Sequence, residues 1–171
     1  MSVIPPLASI PVGVVVERSK SASSWSDLLW RPLNALAGVP DTPAWSKLSD
    51  DGQRATFYAG AADIELYRSE VGNYRENLMV ETPLLWVALR PTEVDPPYTL
   101  AGVTADPAEG EAWAGLGNDI VDTVAMPRAI EEVVAAFVSE HYVEQTFRKR
   151  KRDRADPEAL SRRAPRSGGE Q

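Results

Sequence analysis

The hydrophobic and polar positions divide the chain into short strand-sized blocks and one helical block. Val12-Gly13-Val14-Val15-Val16 places β-branched residues on both parities, the pattern of a central strand buried on both faces. Ser19 to Ser24 is a serine-rich polar turn. From Trp25 to Leu36 the step Trp30-Arg31-Pro32 opposes a continuous helix, because proline disfavours helical geometry at the residue before it. That segment is predicted as an edge or bent strand, with Gly38-Val39-Pro40-Asp41 as the following turn. Asp50-Asp51-Gly52 is a further turn. Arg54 to Tyr67 then reads as two strands, or one long strand bent at Gly60 within Ala59-Gly60-Ala61-Ala62.

The second half alternates helices and strands. Glu70 to Met79 spaces Val71, Tyr74 and Leu78 three and four apart, a short helix. Leu84 to Leu89 and Tyr98 to Thr104 are strands. Asp106-Pro107-Ala108-Glu109 is a helix start, with Asp as cap, Pro at the first helical position and Glu placed to close a capping box. Ile120 to Ala125 is another strand. After Pro127, residues Ile130, Val133, Val134, Phe137, Val138 and His141 form one apolar helical face. The predicted fold class is α+β, a mostly antiparallel β-sheet with a long C-terminal amphipathic helix and a basic, disordered tail. Residues 1–9 read as a flexible N-terminus, 10–146 as a single domain and 147–171 as the tail.

Charge sharpens this division. Residues 1–146 hold nine Lys/Arg against twenty-one Asp/Glu, a net of −12, whereas residues 147–171 hold nine against four, a net of +5. An acidic body with a cationic end is suited to contacting something anionic with that end alone. With 171 residues, 43% of them hydrophobic, one real core is expected without staples. The absence of Cys excludes disulfides, thiolate metal sites and a cysteine nucleophile. Met1 to Leu7 lacks a basic stretch and contains Pro5 and Pro6, which argues against a secretory signal. No run approaches the roughly 20 apolar residues of a membrane span. A cytoplasmic protein with no membrane association is expected.

Catalytic signatures are sparse. There is no phosphate-cradling Gly-Lys-Ser/Thr loop, no Gly-x-Ser-x-Gly elbow and no dinucleotide-binding glycine turn, so no cofactor is implied. The lone His141 sits on an apolar helix face, where packing or capping is its expected role. Asp63 and Glu65 share a strand face that reads as solvated; with Arg90 and His141 they are the residues that would converge if the protein were an enzyme. Of five tryptophans, Trp86 is expected in the core. Trp25, Trp30 and Trp45 lie in irregular sequence, where aromatics staple loops or form partner surfaces. Trp25, Trp30 and Arg31 are the candidate partner-binding residues on the body. The run Arg148, Lys149, Arg150, Lys151, Arg152 and Arg154 adds a second candidate contact. It would engage an acidic protein partner, fold back on the acidic body, or stand as a solvated helix extension. Alternatively it would contact phosphates of a nucleic acid, in which case binding would weaken steeply with salt.

Several of these segments, in order, resemble a bacterial family of uncharacterised proteins catalogued as DUF3305. The resemblance rests on Ile10-Pro11-Val12-Gly13-Val14-Val15-Val16-Glu17-Arg18, Trp25, Trp30-Arg31-Pro32, Phe57-Tyr58-Ala59-Gly60, the Tyr74–Asn77 stretch and Trp86-Val87-Ala88-Leu89-Arg90. It closes with Phe137-Val138, His141 and Lys149-Arg150-Lys151-Arg152-Asp153. The resemblance implies a cytoplasmic protein, often encoded near formate dehydrogenase and its accessory factors. Some relatives are labelled as molybdopterin-guanine-dinucleotide biosynthesis proteins. Here Glu17 to Ser24 follows the first strand without a glycine that would let the backbone approach phosphate. The expected role is therefore a non-catalytic accessory protein in assembly or maturation of a formate dehydrogenase-type molybdoenzyme. Formate dehydrogenase or its maturation factors are the expected protein partners. The alternative is a regulatory or nucleic-acid-associated module that uses the basic tail.

Overall fold

The valine-rich segment becomes the organising strand of the molecule, β1 (Ala8–Lys20), in a computed structural model that describes residues 3–21 and 27–143. Val12, Val14 and Val16 point to one side and are fully buried, while Gly13, Val15 and Glu17 are buried on the other. Burial of both faces is what the doubled parity predicts.

β1 pairs antiparallel with β2 (Leu28–Ala37) on one side and with β4 (Arg54–Leu66) on the other. β3 (Ser46–Asp50) adds to the far edge of β4, giving the order β2-β1-β4-β3. Pro32 is accommodated because β2 is an edge strand and its register shifts beside Val15 and Val16. β4 is one strand bent at a bulge opposite Val14 and Val15, where Gly60 adopts φ 117°. β2 and β3 lie on opposite edges, so the connection 38–45 must cross the sheet. It lies over the outer face, where the Gly13 N–H donates to Gly38 O at 3.2 Å. This crossover ends at Trp45, a non-glycine residue at φ 67°, whose N–H donates to Tyr58 O.

The second sheet has the order β6-β5-β7, formed by β5 (Leu84–Pro91), β6 (Tyr98–Thr104) and β7 (Ile120–Ala125), all antiparallel. β4, beyond the stretch that β3 covers, lies beside β6, and β2 lies beside β7, so the two sheets approach each other on both sides like a split barrel. Between them lies one core, with Val12, Val14, Val16, Ile64 and Leu66 from the first sheet and Leu85, Val87, Leu89, Val103 and Val124 from the second. One end of this core is filled by Trp30, Trp45, Phe57 and Tyr98, whose ring centroids lie 5.5–6.4 Å apart.

Three helices complete the fold: α1 (Val71–Leu78) after a 3₁₀ turn at Arg68–Glu70, α2 (Pro107–Ala114) and α3 (Arg128–His141). α3 buries Ile130, Val134, Phe137 and Val138 and packs on α1, with Tyr74 and Phe137 edge to face at 6.1 Å. Asn77 ties α1 to the second sheet. Its Nδ2 donates to Leu84 O (2.8 Å) and Ala105 O (3.0 Å), and its Oδ1 accepts from Leu84 N (3.0 Å). Asp106 caps α2 as predicted, accepting from Ala108 N at 2.9 Å and Glu109 N at 3.4 Å. The capping box does not close through Glu109. Thr104 Oγ1 takes the Asp106 N–H instead (3.1 Å), and Glu109 pairs with that same hydroxyl (3.3 Å).

Candidate functional site

Strand alternation decides which residues reach the outer face of the second sheet. Leu85, Val87 and Leu89 enter the core, so Trp86, Ala88 and Arg90 face outward. Trp86 is accordingly half-buried outside the core cluster, which corrects the expectation that it is a core residue. Register aligns Ala88 with Gly102 and Trp86 with Thr104 on β6. The α2 backbone lies closest to this face over Trp86, where Gly110 rests directly on the indole. Further along, the small side chains of Ala88, Ala101 and Gly102 leave the face open.

The result is a surface groove centred on Trp113, the last large side chain of α2. The indole lies against Gly102, with Cη2 3.1 Å from where a Cβ would stand. On one side of Trp113 is a depression of about 380 Å³, floored by Ala88, Ala101 and Gly102 and bounded by Leu116, Gly117, Arg90 and Asp119. Arg90 is held in a two-pronged pair with Asp119, Nη2 to Oδ2 at 3.2 Å and Nε to Oδ1 at 3.4 Å, yet its side chain stays 65% exposed. Its remaining N–H groups can therefore receive an anion. On the other side is a depression of about 290 Å³ lined by Asp63, Glu65, Thr104 and Glu109. Across Glu109 a third continues past Tyr67, Ser69, Glu70 and Asp106.

The two ends of the groove thus differ in charge: one holds a mutually neutralising Arg90–Asp119 pair and the other a row of carboxylates. At the acidic end, Asp63, Glu65, Glu70, Asp106 and Glu109 form no ion pair among the described residues. Burial, with Asp106, Glu65 and Glu70 nearby, holds the Glu109 carboxyl above its ordinary pKa, against the Thr104 hydrogen bond. The Tyr67 hydroxyl donates to Glu65 Oε2 at 2.7 Å, and that bond raises the phenol's pKa. Among the described residues no group of three or more His, Asp or Glu is placed to hold a metal ion.

Of the residues singled out in the sequence, Asp63, Glu65 and Arg90 come to this one groove. His141 does not; it packs on Phe137 at 4.4 Å, with Nε2 3.7 Å from Glu140. Trp30 is half-buried within the aromatic plug, under the Arg18 guanidinium at 5.7 Å. Arg31 is exposed and pairs with Glu17 at 3.1 Å, a buried carboxylate that the sequence did not single out. Trp25 and the run Arg148, Lys149, Arg150, Lys151, Arg152 and Arg154 lie outside the described residues. Trp113 and Glu109 are groove residues that sequence reasoning did not assign to a site. Their signal was the helix start at Asp106, which placed both on one short helix without showing what lay beneath it.

No helix is long and apolar enough to cross a membrane among the described residues. Comparison with known proteins identifies a family and no function. The chain belongs to DUF3305, described as a protein of unknown function, whose family model matches residues 11–151. No curated protein and no solved structure matches it.

Proposed function

We propose that this DUF3305 member is a non-catalytic accessory protein that holds a segment of a client protein in the Trp113 groove. The proposed client is a formate dehydrogenase-type molybdoenzyme undergoing assembly or maturation. The observation that carries the docking reading is the groove itself. It is an open surface trough with an aromatic wall, a small-residue floor, an exposed arginine–aspartate pair at one end and carboxylates at the other. Trp and Arg are the side chains that most often dominate the binding energy of protein interfaces. A trough whose ends differ in charge also favours one direction for an extended segment. The choice of client rests on the family resemblance, which associates such chains with formate dehydrogenase.

Affinity purification of the tagged protein from its native host tests both parts. Formate dehydrogenase subunits or maturation factors should accompany the wild-type protein and be depleted with Trp113→Ala or Arg90→Glu. Undiminished recovery with folded variants would remove the groove from the mechanism. In a deletion strain, normal formate dehydrogenase activity under conditions that require the enzyme would remove the client.

A further inference from the structure

We infer that the acidic half of the Trp113 groove, from Asp63 to Glu70, is the docking surface for this chain's own basic segment, Arg148–Arg154. Charge complementarity is the first argument. The acidic half presents Asp63, Glu65, Glu70 and Glu109 along two adjoining depressions, none of them in an ion pair among the described residues. Burial first, and then the neighbouring Asp106, Glu65 and Glu70 carboxylates, raise the pKa of Glu109. Arg148-Lys149-Arg150-Lys151-Arg152-Asp153-Arg154 is the concentrated cationic run of the chain. Placing it against the carboxylates would relieve their mutual repulsion without a second molecule.

Chain geometry is the second argument. The described chain leaves α3 at Tyr142 and Val143, and Tyr142 is fixed beside α1, its ring 4.7 Å from the Arg75 guanidinium. Glu70, at the N-terminal end of α1, lines the acidic groove. Glu70, the cap of that helix, and Arg75 are five residues apart, roughly 7.5 Å along the axis and about 140° around it. Extended chain spans up to about 3.5 Å per residue, so Arg148 can stand roughly 17 Å from Val143 and Arg154 roughly 38 Å. The run therefore starts within reach of Glu70 and can extend roughly 20 Å further along the depressions that Glu109 and Asp63 line. A further consequence is regulatory: a client that enters the groove must displace the tail from its acidic half.

This inference rests on the groove being a binding surface and does not depend on the identity of any client. Zero-length carbodiimide cross-linking of the full chain, followed by peptide mass spectrometry, tests it. Only four lysines can react, Lys20, Lys47, Lys149 and Lys151. Within one chain, Lys149 or Lys151 should couple to Asp63, Glu65, Glu70 or Glu109. The products should disappear at 1 M salt, where the Debye length is about 3 Å. The double variant Glu65→Gln/Glu109→Gln should deplete them, and the control Glu131→Gln/Glu132→Gln on α3 should not. Coupling spread evenly over carboxylates elsewhere, products only between two chains, or no tail products at all would each overturn it. The co-purification test of the client can succeed or fail independently of these products.

Discussion

Gly110 is where a single methyl group should move a whole helix. A Cβ on Gly110 would stand 2.1 Å from Trp86 Cγ, 2.3 Å from Cδ1 and 2.6 Å from Cβ. Non-bonded carbons settle about 3.5–4.0 Å apart, so α2 or the indole must retreat by roughly 1.5 Å. Overpacking of this kind costs about 1–3 kcal/mol, and a clash this deep belongs at the upper end. Alanine's better helix propensity returns about 1 kcal/mol. The expected net loss for Gly110→Ala is about 2 kcal/mol, which lowers Tm by about 4–8 °C in a domain of this size. Gly72 in α1 supplies the control, because a Cβ there meets nothing within 4 Å. Gly72→Ala should leave stability unchanged or raise it by up to about 1 kcal/mol. Urea denaturation of both variants, followed by far-ultraviolet circular dichroism, makes the comparison. If Gly110→Ala is as stable as Gly72→Ala, α2 is not seated on Trp86 and the Trp113 groove loses its wall.

Asn77→Ala would strip partners from the Leu84 N–H and the Leu84 and Ala105 carbonyls, costing about 2–4 kcal/mol by the same urea assay. Asn77→Asp should cost at least as much at neutral pH, because a carboxylate would face those two carbonyls; a variant within about 0.5 kcal/mol of wild type would refute the bridge. Arg31→Ala leaves the Glu17 carboxylate buried without its cation and should cost about 1–2 kcal/mol, discounted because the Arg31 side chain is half exposed. Removing both charges in Arg31→Ala/Glu17→Gln should recover part of that loss, and a double-variant cycle measures how much. Glu109→Gln carries the pH prediction. A carboxyl whose folded-state pKa is raised binds its proton more tightly in the folded protein, so it lowers stability as pH rises from the unfolded value of 4.5 through the folded one. The variant should therefore gain stability over wild type above that window and lose the advantage below it. An advantage that persists at pH 3 would refute the assignment.

How far the fold was legible depended on whether an element's reason is local. The valine run, the edge strand around Pro32, the bend at Gly60, the cap at Asp106 and the strand Ile120–Ala125 each follow from side-chain direction, ring geometry or a hydrogen bond within a few residues. β3 was missed for the opposite reason. Ser46-Lys47-Leu48-Ser49-Asp50 has a single large apolar residue, which is exposed. It is a strand because β4 offers a free edge once the crossover 38–45 delivers the chain there. The groove was legible only in fragments. Asp63 and Glu65 read as a solvated strand face, and nothing near them in sequence announces Glu109, Thr104 or Trp113.

The sequence by itself determined the kinds of element, most of their boundaries and the separation of an acidic body from a basic end. Those properties depend on periodicity and charge, which are read from neighbours along the chain. Tertiary structure alone decided that the strands divide into two sheets that meet through β4 with β6 and β2 with β7, that Glu17 is buried against Arg31, and that Trp86 supports α2 outside the core. It also decided that Trp113 stands between an arginine and a row of carboxylates. Each of these depends on which surfaces meet across long chain separations, where packing and desolvation rather than local periodicity select the arrangement.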